Sequence, residues 1–304
     1  MLEIGLVGLG TIARAQHLPA IAANPGMQLA AIASRNARLD GVASYPDLAA
    51  LLAAEPAIAA ISLCTPPQGR FDLAMAALQA GRHLMLEKPP GATLSEIGAL
   101  QDAAQARGLT LFATWHSREA AAVEAARAWL SGKTLSSVTI EWREDVRKWH
   151  PGQEWIWKAG GLGVFDPGIN ALSILTALVP DVVLLRADLH IPQGRETPIA
   201  ADLHLSAQGV PITATFDWRL AKDEIWRIRF ETDQGTLMLD DGGAQASIDG
   251  TVLHSGENRE YTRLYARFAQ LVAAGQSDVD LAPLRLVADA FLIGTHHSTH
   301  PFTP

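Results

Sequence analysis

The chain has 304 residues, 48% of them hydrophobic and 18% charged, a length that suits two domains better than one. A net charge of -8 and a pI near 5.7 leave no basic footprint for nucleic acid, so a small molecule is the expected partner. No uninterrupted apolar run reaches the roughly 18 residues that span a bilayer. The single cysteine, Cys64, cannot close an internal disulfide, and strand-like residues from Leu2 onward leave no room for a leader; both point to a cytoplasmic protein.

Leu2 to Val7 reads as a buried strand that runs into Gly8-Leu9-Gly10-Thr11-Ile12-Ala13. A G-x-G-x-x-A pattern is weak alone, but between a strand and a helix it has a mechanism. Gly8 permits the tight turn, Gly10 lets the backbone approach a pyrophosphate, and Ala13 lets the helix pack on the sheet. The helix amino terminus, from Thr11 and Ile12, then offers backbone N–H groups to phosphate. The helix is expected to end near Asn24-Pro25-Gly26, with Met27 to Ala33 as the second strand. That strand closes on Ser34-Arg35, where an NAD-selective unit would carry an acid for the ribose hydroxyls. Serine and arginine suit a 2′-phosphate instead, so NADP is expected to bind well without excluding NAD.

A helix from about Asp47 to Ala54 precedes a third strand, Ala57 to Cys64, ending at Thr65-Pro66-Pro67. In a parallel sheet the strand carboxyl ends face the ligand crevice, which places Cys64, Thr65 and Pro66 beside the cofactor. After a helix from Gly69 to Gln79, the strand His83 to Leu86 delivers Glu87-Lys88-Pro89-Pro90 to the same edge. Prolines restrict the preceding backbone, so Lys88 has little freedom of direction. Thr93-Leu94-Ser95-Glu96 has capping-box spacing, and Leu109 to Thr114 makes a fifth strand ending at Trp115-His116-Ser117. His116 is either an ordinary packed histidine or a substrate contact.

Beyond residue 117 the pattern changes. Leu135 to Glu144, Ile212 to Arg219, Ile225 to Glu231 and Thr236 to Asp240 alternate apolar and polar residues, describing a largely antiparallel sheet with one solvated or partner-covered face. Two helical patterns, Tyr261 to Ala274 and Leu284 to Ile293, close the chain. The expected fold class is therefore α/β: a doubly wound parallel sheet over residues 1–116 and an α+β domain with an open, largely antiparallel sheet over 117–304, suited to binding substrate and to dimerisation.

Four of the eight tryptophans fall between Trp142 and Trp157, in a stretch that also holds Glu144-Asp145-Val146-Arg147-Lys148-Trp149-His150. Tryptophan faces and carboxylates suit the C–H face and hydroxyls of a sugar, although homodimer contacts would give the same composition. Gly160-Gly161-Leu162-Gly163 then leads to Asp166-Pro167-Gly168-Ile169-Asn170. Asp and Pro here are good helix-start signals, which is compatible with Asp166 acting as an ionised base and Asn170, four residues on, sharing its face. Neither Cys-x-x-Cys nor His-Glu-x-x-His is present, so no metal site is expected, and Gly-x-Ser-x-Gly is missing.

The glycine turn, Cys64-Thr65-Pro66-Pro67, Glu87-Lys88-Pro89 and the Asp-containing helix start together resemble the Gfo/Idh/MocA oxidoreductases over the full chain. Met85 to Leu94, Ala113 to Arg118, Glu144 to Gly152 and Gly160 to Leu172 resemble more narrowly the bacterial aldose 1-dehydrogenases that act on L-arabinose and D-galactose. The resemblance implies a Rossmann fold, NAD(P)-dependent oxidation of a monosaccharide at C1, and a cis bond before Pro89. It implies catalytic roles for Lys88, Asp166 and Asn170, and sugar contacts from Lys88, His116, Glu144, Trp149, Asp166 and Asn170. Cofactor contacts are implied for Gly8, Gly10, Thr11, Ile12, Ser34, Arg35, Cys64, Thr65, Pro66, Glu87, Lys88 and Trp157. Many relatives carry histidine where this chain has Asn170, leaving proton transfer to Asp166 with Lys88. An inositol or polyol dehydrogenase and a non-catalytic NAD(P)-binding sensor are the alternatives.

Overall fold

The computed structural model describes residues 1–303. The chain divides into two compact units, Met1–His116 with Tyr261–Asp280, and Ser117–Glu260 with Leu281–Pro304. The second domain expected to run unbroken from 117 to 304 is thus interrupted, because one late helix belongs to the first unit.

In the first unit β1 (Leu2–Val7), β2 (Met27–Ala33), β3 (Ala43–Tyr45), β4 (Ala60–Leu63), β5 (His83–Leu86) and β6 (Leu111–Ala113) form one sheet, order β3-β2-β1-β4-β5-β6. Every pairing is parallel. This is the strand order of a dinucleotide-binding fold, whose order reverses between β1 and β4. The short edge strand β3 was not anticipated. The Thr93 capping box forms with Glu96.

The helix Glu260–Ala274 packs here for a reason visible in its spacing. Tyr261, Leu264, Tyr265, Phe268 and Leu271 lie on one face, all buried, in a core shared with Ile4, Leu6, Ala13, Ile21, Met85 and Phe112. Arg267 pairs with Asp278 at 2.8 Å, and Asp278 bridges to Phe112 beside β6.

The second unit is a nine-stranded sheet. Its strands are β7 (Leu135–Arg143), β8 (Val182–Pro192), β9 (Ala200–Ala207), β10 (Val210–Asp217), β11 (Ile225–Thr232), β12 (Gly235–Asp240), β13 (Gln245–Ile248), β14 (Thr251–Ser255) and β15 (Thr295–Thr299), in the order β14-β13-β12-β11-β7-β10-β9-β8-β15. Only β7–β10 and β8–β15 are parallel. One face buries Val138, Ile140, Trp142, Ile212, Ala214, Phe216, Ile228 and Phe230 against the helix Phe165–Leu178. The other face is polar, with Arg143 on Glu141 at 3.4 Å and Arg227 on Asp240 at 2.6 Å. No helix among the described residues is long and apolar enough to cross a membrane.

Candidate active site

The first unit presents the glycine turn as the chemistry requires. Gly8 has φ +93°, and a Cβ there would stand 3.1 Å from the Cys64 carbonyl carbon and the Thr65 nitrogen, so the turn and the close approach of β1 to β4 both need glycine. A Cβ at Gly10 would meet nothing within 4 Å, leaving open space over the backbone. Leu9, Gly10, Thr11, Arg14 and Ala15 line an open cleft of about 560 Å³. Ile12 is 42% exposed beside it, while Ala13 is fully buried. Thr65 Oγ1 is buried without a protein partner, an atom that a nucleotide hydroxyl would satisfy. The residues present therefore fit a dinucleotide.

Arg35 is exposed at the end of β2, and Ser34 is half-buried. Two further arginines gather here that the sequence did not single out. Arg38 donates to the Ser34 carbonyl at 3.1 Å, and Arg14 donates to the Arg38 carbonyl at 3.3 Å. They add positive charge where a 2′-phosphate would be held.

Lys88 follows β5, half-buried, with a cis bond to Pro89. Its surroundings were largely invisible in the sequence. Arg70, 2% exposed, donates to the carbonyls of Glu87, Pro89 and Thr65, tying the lysine turn to the Cys64-Thr65 turn. Glu87 was expected to touch the cofactor; instead its carboxylate is 5% exposed and turned inward. One oxygen accepts from the Lys88 backbone N–H at 2.6 Å; the other meets the Tyr261 hydroxyl at 2.5 Å and His17 Nε2 at 3.2 Å. His17 Nδ1 lies 2.8 Å from the Tyr265 hydroxyl, which donates to Ser62 Oγ at 3.0 Å. With the Tyr265 proton on Ser62 Oγ and a carboxylate at Nε2, both ring nitrogens of His17 donate, an arrangement that favours the imidazolium. Burial alone would lower the His17 pKa, but Cys64, Tyr265 and the bond to Glu87 raise it well above the ordinary value. Burial would likewise raise the Glu87 carboxyl, but the bond and charge of His17, the charge of His116 and the Tyr261 bond bring it down to about 2. His116 stacks on Tyr261 at 5.4 Å.

The second unit carries the other candidates. Glu144 follows β7 and is 5% exposed; Trp218 Nε1 donates to one oxygen at 3.1 Å and Trp226 Nε1 to the other at 2.9 Å. The two indoles fix the plane of the carboxylate. Trp149, 44% exposed, donates to Glu224 at 2.6 Å and tilts against Trp226 at 5.6 Å. Trp218 directly follows β10 and Trp226 lies in β11, both far along the chain, so only the assembled sheet brings them to Glu144.

Asp166 differs from its expected place. The helix begins at Phe165 with Val164 at the cap, so Asp166 lies within the first turn and does not cap it. Its Oδ2 is 3.4 Å from His150 Nε2, and the His150 ring packs on Trp218 at 5.2 Å. The preceding Gly163 has φ +54°, and a Cβ there would lie 2.4 Å from the Pro198 carbonyl, so the entry to this helix excludes every other residue. Asn170 is half-buried on the same helix. Trp157, expected at the cofactor, is 2% exposed and packs against Trp218, Phe302 and Arg195. A ring so enclosed has almost no surface to offer, and its role here is packing.

Residues 2–114 match the family model described as oxidoreductase family, NAD-binding Rossmann fold, of the Gfo/Idh/MocA type. The chain is 46% identical to galactose 1-dehydrogenase of Pseudomonas fluorescens over an alignment of 315 positions, gaps included, covering 99% of this chain and 98% of that one. The chain belongs to the Gfo/Idh/MocA oxidoreductase family. Its fold matches the crystal structure of D-galactose-1-dehydrogenase from Rhizobium etli with a TM-score of 0.96 and 52% identity, covering 99% and 98% of the two chains. A 3-ketoreductase of Actinomadura kijaniata, solved with NADP and TDP-benzene, shares the fold at a TM-score of 0.84 and 20% identity over 98% and 99% of the chains. This Gfo/Idh/MocA protein is accordingly an enzyme, an oxidoreductase with an NAD(P)-binding Rossmann unit.

Proposed function

We propose that the enzyme is an aldose 1-dehydrogenase that oxidises the C1 hydroxyl of D-galactose and L-arabinose to the lactone. The observation that carries this reading is the end-to-end identity of 46% with a galactose 1-dehydrogenase. L-Arabinopyranose and D-galactopyranose share ring configuration through C4 and differ by one exocyclic CH2OH, so a pocket open at C5 takes both.

Bound NADP, or NAD, supplies the hydride acceptor. Gly8, Gly10, Thr11, Ile12, Cys64, Thr65 and Pro66 would hold the nucleotide, with Ser34 and Arg35 on its 2′-phosphate, so that NADP is preferred or well accepted beside NAD. Asp166 accepts the C1 hydroxyl proton as the hydride leaves C1, and Lys88 stabilises the negative charge that develops on O1. His150 Nε2, 3.4 Å from Asp166 Oδ2, receives the proton in turn. Asn170 orients the reacting hydroxyl, while His116, Glu144 and Trp149 hold the ring.

Purified protein incubated with NADP and a panel of aldoses and cyclitols tests this by absorbance of the reduced cofactor. Turnover of D-galactose and L-arabinose is the expected result. Turnover of cyclitols alone would make it a polyol dehydrogenase, and binding of NADP with no turnover a sensor. We also read the polar face of the nine-stranded sheet as a homodimer surface, which a monomer in sedimentation would refute. The lone Cys64, unpaired with any other cysteine, fits a cytoplasmic setting.

A further inference from the structure

We propose that Glu87, His17 and Tyr261 form a positioning network that sets the place of Lys88. The proposal rests on the reading of Lys88 as the group that acts on the sugar oxygen. Glu87 grips the Lys88 backbone N–H at 2.6 Å and is itself fixed by Tyr261 at 2.5 Å and by His17 at 3.2 Å. On the other side of the same turn, the buried Arg70 holds the carbonyls of Glu87 and Pro89. The backbone carrying Lys88 is therefore tied by charged groups before and after it, while its side chain stays half-buried.

Three separated segments converge to do this. His17 closes the π-helical turn Ala13–His17 and is fully buried there. Tyr261 and Tyr265 lie one turn apart on the helix Glu260–Ala274, and Ser62 on β4 anchors the far end. A buried charge pair is a poor way to fill a core, since apolar side chains of the same volume serve stability as well or better. A charged network that ends on the backbone of one lysine is a means of specifying position.

The test uses the full-length enzyme with D-galactose and NADP. Glu87→Gln, His17→Gln and Tyr261→Phe are compared with Phe268→Leu, a buried change in the same core outside the network, and with Lys88→Ala. The chain has only five lysines, so reductive ¹³C-methylation resolves the Lys88 resonance directly. Glu87→Gln is expected to lower kcat about tenfold or more, change the KM for sugar by less than about threefold and shift the Lys88 resonance. Tyr261→Phe and His17→Gln are expected to do the same to a smaller degree, and they carry the test if Glu87→Gln does not fold. Phe268→Leu is expected to lower the melting temperature while leaving kcat and the resonance near wild type. Wild-type kcat and an unmoved resonance in the network variants would overturn the proposal, as would losses that merely track melting temperature in all four. Normal turnover by Lys88→Ala would instead sink the reading of Lys88 itself, whatever the network variants show.

Discussion

Replacing both charged partners of the buried pair, as His17→Gln/Glu87→Gln, removes two groups whose pKa values move in opposite directions on folding. The Glu87 carboxyl sits at about 2 in the folded chain against an ordinary 4.5, so between these values the unfolded chain binds more protons and stability rises with pH. The carboxyl thus contributes on the order of 3 kcal/mol above about pH 5.5, of which about 1 kcal/mol is lost near pH 4 and about 2 kcal/mol near pH 3. It is buried, so solvent screening does not reduce this figure. His17 has the opposite sign: its raised pKa stabilises the fold below 6.5, and that part is lost as pH rises through its folded value. Below about pH 5.5 the imidazole is protonated in both states, and only Glu87 contributes to the slope. The assay is urea unfolding of wild type and double variant at stepped pH, read by hydrogen exchange in peptides covering β1 and β5 so that the first unit alone is followed. The stability gap should shrink by about 1 kcal/mol from pH 5.5 to pH 4, by about 2 kcal/mol at pH 3, and again on the alkaline side. A gap constant from pH 3 to pH 5.5 would refute the charged description of this pair.

Asp166→Ala and Lys88→Ala should each cut sugar oxidation by roughly 10²-fold or more while NADP still binds, as steady-state kinetics with titration calorimetry will show. Arg35→Ala should weaken NADP selectively; equal weakening of NAD would mean that Arg35 does not hold the 2′-phosphate. Gly8→Ala forces a side chain into φ +93° and to 3.1 Å from the β4 backbone, so melting should fall and dinucleotide affinity drop about tenfold or more. Unchanged binding in that variant would separate the turn from the cofactor. His150→Gln should lower kcat and alter its pH profile while the sugar KM stays near wild type, whereas a bystander at 3.4 Å from Asp166 would leave the profile intact.

The parts of the site that are local in sequence were legible in it. A strand, a Gly8–Ala13 turn and a helix start form a contiguous device, and Ser34-Arg35 or Glu87-Lys88-Pro89 announce a strand end through two or three neighbouring residues. Alternating apolar residues in β7, β10, β11 and β12 likewise revealed a one-sided sheet, because side chains in a strand change face at every step. Longer-range facts left weaker traces. The strands β8, β9 and β13 to β15 passed unnoticed, and the two outermost, β14 and β15, are almost wholly exposed and lack a buried stripe to betray them.

What the sequence determined by itself is which groups are available: a glycine turn for a dinucleotide, a lysine at a strand end, an aspartate at a helix start, and tryptophans near a carboxylate. Tertiary structure alone decided how those groups are held. Helical periodicity shows that Tyr261 and Tyr265 share a buried face but not which core receives it, and only packing against β1 and β5 makes them partners of Glu87 and His17. The same holds for Glu144, steadied by indoles at positions 218 and 226, and for Asp166, whose neighbour is His150 and whose helix is capped by another residue. The physical reason is that periodicity reports burial along one element, whereas a hydrogen bond between residues some 170 positions apart, such as Tyr261 to Glu87, exists only once both elements have packed.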